Sequence, residues 1–157
     1  MQDQIEQTRA FLAELEFGAN WDAVVEPMPD ALDRLHRAFV DAYRCADVEA
    51  MLELTDPELE MVQPRELPGQ RVYRGRKGLL EAMLDWPLEW EGFEVEPVRV
   101  FAANAEQVVI VVIHRGRSRT VDMQVEQEFT WLLRWHNGLL TRWDMFMTVD
   151  EALRAAR

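Results

Sequence analysis

Near the C-terminal end, Asn137-Gly138 stands between two stretches of alternating apolar and polar residues. Asn-Gly favours the centre of a two-residue type I′ turn, which joins neighbouring antiparallel strands. Upstream, the stretch from Val121 to Trp135 alternates through Val121, Met123 and Val125, then Phe129, Trp131, Leu133 and Trp135. Downstream, Leu139–Met147 reads as the partner strand, and a short helix follows over Asp150–Ala156. Ahead of the hairpin, QVVIVVIH is an apolar run suited to a strand buried on both faces. The turn before it falls at Ala103–Glu106, and Arg115–Ser118 reads as the turn after it. From Phe93 to Val100 the apolar phase changes across Pro97, the mark of a bulge.

The first half carries helical spacing instead. Ile5, Phe11, Leu12 and Leu15 give a short amphipathic helix over residues 3–16, ended by Gly18, and the stretch through Pro27 and Pro29 reads as a linker. Asp30 is placed as the N-cap of a stronger helix carrying Leu32, Leu35, Phe39 and Tyr43. Asp47 caps a shorter one, with Val48, Met51 and Leu52. A strand at Leu59–Gln63 is stopped by Pro64, and a helix from Arg76 to about Trp86 is closed by Pro87. Helices first, then mostly antiparallel strands, predict an α+β fold with helices against one face of a curved sheet. Residues 1–29 are expected as a helical extension and linker, with the apolar face of Phe11, Leu12 and Leu15 either a lid across the mouth of the fold or a contact with a dimer partner, and 30–157 as the domain.

Composition narrows the function classes. The 157 residues carry 29 acidic and 17 basic side chains, a net charge of −12, which argues against nucleic-acid binding. One cysteine allows no internal disulfide. No apolar run approaches the length of a bilayer span, and the acidic N-terminus lacks a signal-peptide pattern, so a cytoplasmic protein without a membrane role is expected. His36, His114 and His136 show no metal-ligand spacing, and no metal site is expected.

LHRAFVDAYRCADVEAMLELTDPELEMVQP resembles the opening of SnoaL-like domains in the nuclear-transport-factor-2-like superfamily. VYRGRKGLLEAM, EQVVIVVIHRGR, EFTWLLRWHNGLLTRW and EALRAA then resemble later family segments in the right order, over roughly residues 30–156. The resemblance implies a cone-shaped sheet, a homodimer, and cofactor-independent acid–base chemistry in the members that catalyse. In isomerase-like members a Tyr, a late-strand acid and an Asp do that work. Those positions fall at about Phe39, Trp131 and Gln63, which cannot replace them. The epoxide-hydrolase positions fall at Gln107, Val109 and Met145, which also lack the required groups.

Strand parity then assigns an interior. Trp143, Met145 and Met147 point inward on the last strand, and Val125, Gln127, Phe129 and Trp131 on the one before. Gln107, Val109, Val111 and Ile113 are placed inward on the middle strand, which leaves His114 outward. With Phe39, Gln63 and Trp86 they make the expected ligand pocket Phe39, Gln63, Trp86, Gln107, Gln127, Phe129, Trp131, Trp143 and Met145. This lining suits a small apolar or aromatic molecule, without a cofactor. Three readings stay open: a pocket protein, an acid–base enzyme with Asp144 as a relocated acid, and a pocketless dimeric interaction module. Arg65, Arg71, Arg74, Arg76 and Lys77, and a second group at Arg115, Arg117 and Arg119, are expected mainly to balance nearby acids.

Overall fold

In the computed structural model, which describes residues 1–17, 21–67, 70–85 and 87–157, Asn137 and Gly138 both have positive φ, 51° and 79°. That is the backbone a type I′ turn requires. The chain runs α1 (Gln2–Glu14), β1 (Glu16–Phe17), a 3-10 turn (Trp21–Val24), α2 (Asp30–Arg44), α3 (Val48–Glu53), β2 (Thr55–Val62), β3 (Val72–Arg74) and α4 (Gly75–Asp85). A second 3-10 turn (Pro87–Glu89) leads into β4 (Trp90–Ala102), β5 (Gln107–Ser118), β6 (Met123–His136), β7 (Leu139–Phe146) and α5 (Val149–Ala155). The α+β class and the order of helices before long strands are as expected.

The strands form one sheet in the order β1-β4-β5-β6-β7-β2-β3. β4 to β7 make an antiparallel meander, while β2 runs parallel to β7 and β1 parallel to β4. The sheet is therefore mixed, not wholly antiparallel. Its β4–β5 register shifts between Pro97 and Arg99, the expected bulge. β2 starts earlier than expected because its pairing with β7 is irregular between Thr55 and Glu60, where Pro57 needs no ladder bond.

Other boundaries move for local reasons. Asp30 is the first residue of α2 and makes no capping bond, with Pro29 at the cap position. Asp47 does cap α3, its Oδ1 accepting from Ala50 N–H at 3.2 Å. Arg115–Ser118 stays in strand, each residue paired with β6, and the reversal comes after it, where Asp122 has φ 49°. The stretch read as a linker is tied to the sheet: Val25 bridges Val100, and Glu26 N–H donates to the Val100 carbonyl at 2.8 Å.

The main core lies between the sheet and the helices. It takes Val108, Ile110 and Val112 from β5, Phe129, Trp131, Leu133 and Trp135 from β6, and Leu140, Trp143 and Met145 from β7. Leu32, Phe39, Met51, Leu79 and Leu80 close it from α2, α3 and α4. Val109, Val111 and Leu132 are also buried, yet they alternate with this set and so lie on the opposite face. There α5 packs across β5, β6 and β7 through the fully buried Ala152.

Candidate functional site

The inner face of β5 corrects the assignment by parity. Ile110 pairs with Trp131 and Val112 with Phe129, so the even-numbered residues of β5 share the inner face with the odd-numbered residues of β6. Gln107, Val109, Val111 and Ile113 therefore turn away from the cone, and His114 turns into it. Gln107 accepts a hydrogen bond from Asn104 Nδ2 at 2.6 Å, and the same Asn104 amide reaches the Ala156 carbonyl at the end of α5. An unbroken apolar run has no alternation to reveal its parity, which is why the sequence misplaced this strand.

A cavity of about 60 Å³ lies between the sheet and the helices. Trp131 of β6 and Trp143 and Met145 of β7 form one wall, with the two indoles 5.0 Å apart between ring centroids. Val95 and Phe93 of β4 and His114 of β5 form another, and Met61, Tyr73, Ala82 and Met83 of β2, β3 and α4 the opposite side. Tyr43 of α2, Gln63, Pro87 and Phe11 of α1 complete the lining, and these four with Phe93 are only partly buried, which marks the mouth. No Asp, Glu, Lys or Arg is among the described residues of this lining.

The polar groups of the lining are neutral or engaged. His114 is 3% exposed, and burial pushes its imidazole down to about 3, so it is uncharged at physiological pH. Its ring meets Phe93, Phe129 and Trp131 at centroid distances of 5.3, 4.8 and 6.0 Å. Burial likewise raises the Tyr43 phenol above its usual value. Tyr73 donates to Asp85 at 3.1 Å, and Gln63 Oε1 accepts from the Arg71 N–H at 3.2 Å. Desolvation is the largest cause holding the Tyr73 phenol above its ordinary value, and the Asp85 charge adds to it. The indole nitrogens of Trp131 and Trp143 are buried and make no hydrogen bond among the described residues.

Of the residues expected at the pocket, Gln63, Trp131, Trp143 and Met145 border this cavity. Phe39 sits behind the tryptophan pair, edge-on to Trp135 and Trp143 at 5.8 and 6.0 Å, in the packed layer below. Phe129 supports His114 from beneath. Gln127 pairs with His114 across the strands but spends its amide on the Glu128 carbonyl at 3.0 Å. Trp86 lies outside the described residues. Sequence reasoning missed His114, Tyr43, Tyr73 and Phe93 as lining residues, and left Phe11 between a lid and a dimer contact. The helical spacing of Tyr43 after Phe39 and the alternation of Phe93 with Val95 were the available signals.

Asp144 faces away from the cavity. Arg142 holds its carboxylate through two bonds, Nε to Oδ2 at 2.7 Å and Nη2 to Oδ1 at 3.0 Å, and the carboxylate side chain is 13% exposed. The arginine groups behave as charge partners: Arg71 pairs with Asp85, Arg115 with Glu96 and Glu126, and Arg117 with Asp122. Among the described residues no cluster of His, Cys, Asp and Glu could hold a metal ion, and no helix is long and apolar enough to cross a membrane.

A family model described as SnoaL-like domain matches residues 36–143. A search of curated proteins finds no significant match. Among solved structures, an NTF2-like protein from Burkholderia xenovorans LB400 superimposes with a TM-score of 0.62 at 20% identity, over 83% of this chain and 98% of that one. TerC co-crystallised with polyporic acid matches with a TM-score of 0.57 at 18% identity, over 78% and 97% of the two chains. A Mycobacterium tuberculosis protein in complex with estradiol-17beta-hemisuccinate matches with a TM-score of 0.55 at 13% identity, over 76% and 95%. At these identities the likeness is one of fold.

Proposed function

We propose, for a chain that belongs to the SnoaL-like domain family, that the cone holds a small uncharged molecule built around an aromatic or other apolar ring. The observation that carries this reading is the lining itself: aromatic and aliphatic walls without a charged side chain among their described residues. A charged ligand would lose its hydration there and gain no ion pair in return, a large penalty. A flat apolar ligand gains contact with the Trp131–Trp143 pair and with Phe93. Two neighbours of the same fold were crystallised with ring compounds, estradiol-17beta-hemisuccinate and polyporic acid; both also carry acidic groups, so they support the ring of the reading, and its lack of charge rests on the lining.

The enzyme alternative has less support. Its proposed acid, Asp144, is bound to Arg142 on the other face of β7, and His114 is too weak a base while it stays buried. The reading keeps the homodimer that the family resemblance implies and a cytoplasmic setting. Sedimentation at micromolar concentration tests the dimer separately. For the ligand, saturation-transfer NMR with ethylbenzene, benzoate and benzylammonium is the direct test. Ethylbenzene is expected to receive saturation and the two ions none. Equal transfer to all three, or transfer to the ions alone, overturns the reading.

A further inference from the structure

We infer that α1 is the lid of this cavity, with Phe11 as the residue that limits ligand size; the inference rests on the ring-binding reading above. Phe11 is the α1 contribution to the lining, and it belongs to the partly buried mouth, not to the floor. α1 lies outside the matched family segment 36–143 and packs mainly on α4, with smaller contacts to α3 and α2. It therefore lies over helices of the shared fold and adds one aromatic ring to the cavity.

Size calls for a wall that gives. A dry cavity of about 150 Å³ takes benzene, and this one measures about 60 Å³. A ring can be held in full only if part of the wall moves. The floor is the least free to do so, because Trp131 and Trp143 are buried in the main core. Methionines 61, 83 and 145 can adjust their rotamers, which widens a gap without opening a path. Phe11 stands where a path would open.

The docking of α1 also carries a polar cost. Its inner face buries Ile5, Thr8 and Leu12, but Thr8 Oγ1 and Gln4 Oε1 are buried there without a hydrogen-bond partner. Each such atom keeps its desolvation cost when α1 docks and recovers water when α1 lifts. No side chain caps the N-terminal end of the helix. The exposed pair between Arg9 and Glu49 adds little holding energy. At its other end β1 fastens the chain to β4 through Glu16–Glu94 and Phe17–Val95, a hinge point next to the cavity residue Val95. A segment docked with unsatisfied polar atoms beneath it belongs to the part of a fold that opens locally.

The experiment measures binding of ethylbenzene and 2-ethylnaphthalene to the full chain and to the Phe11→Ala, Leu12→Ala and Thr8→Val variants. Ligand-detected NMR gives affinities and relaxation gives entry rates. In Phe11→Ala, 2-ethylnaphthalene is expected to gain about ten-fold in affinity relative to ethylbenzene, as the second ring finds space. Leu12→Ala, which loosens α1 without touching the lining, is expected to speed entry of both rings and leave their affinity ratio unchanged. Thr8→Val, which removes an unpartnered hydroxyl, is expected to slow entry. An unchanged ratio in Phe11→Ala, or the same ratio change in Leu12→Ala, overturns the role of Phe11. Entry rates indifferent to Leu12→Ala and Thr8→Val overturn the lid. Failure of every variant to bind either ring overturns the ring-binding reading itself.

Discussion

Acidification from pH 7.5 to 4.5 should cost this fold about 5 kcal/mol through two buried imidazoles. Burial pushes His36 down to about 4, where it lies 1% exposed and stacked on Trp21 at 5.7 Å; the Asp33 charge opposes that shift and Arg37 adds to it. His114, among Phe93, Phe129 and Trp131, is pushed to about 3 by the same cause. Both folded values lie below the ordinary 6.5 of an unfolded imidazole. The stability held in the neutral rings is complete above about pH 7 and is lost as pH falls toward the folded values. Two pH units below 6.5 the unfolded rings are about 99% charged while the folded ones are mostly neutral, a difference of about 2–3 kcal/mol per ring. Total stabilities are on the order of 5–15 kcal/mol, so the loss is a large share of the whole. Urea unfolding at pH 7.5, 6 and 4.5 measures it, with the His36→Leu/His114→Phe double variant as reference. The double variant is expected to lose most of this acid sensitivity. Ring proton shifts of His36 or His114 that titrate near 6.5 in the folded protein, or a double variant as acid-sensitive as the parent, would refute the reasoning.

Further outcomes follow from single positions. Asp144→Asn should lower stability by about 1.5–3 kcal/mol, because it weakens two charge-assisted bonds from Arg142; ring binding should not change, and chemical denaturation with a parallel titration checks both. Gly78→Ala should destabilise although alanine favours helices, since its Cβ would stand 2.9 Å from the Tyr73 backbone carbon; a thermal melt reads the sign. Trp135→Ala should cost about 3–5 kcal/mol, as the indole is buried in the core layer under Phe39, and urea unfolding measures it.

The legible part of the fold was the part with a period or a turn code. Asn137-Gly138, the β6 alternation and the Pro97 bulge fixed the meander and the inner phase of β6, which put Trp131 on the cavity wall. β5 shows the limit: valine and isoleucine at nearly every position gave no phase, so His114 was read as outward and Gln107 as inward. β3 was missed because three residues are too few to show alternation. Phe11 was visible as part of an apolar helix face, but which wall that face would complete depends on tertiary packing alone. Asp144 could be placed by parity as outward, on the same face as Arg142 two residues away, while the two-bond grip of that pair follows from geometry.

The cone as a ring-binding cavity is tested most directly by the indole N–H signals of the folded protein, recorded with ¹⁵N and assigned through single Trp→Phe variants. Trp131 and Trp143 carry indole nitrogens on the cavity wall without hydrogen-bond partners among the described residues. Titration with ethylbenzene is predicted to move both of their signals along one saturating curve, through the ring current of a bound aromatic. If ethylbenzene binds while those two signals stay fixed, or if neither moves at the solubility limit of the ligand, the cone does not hold the ring.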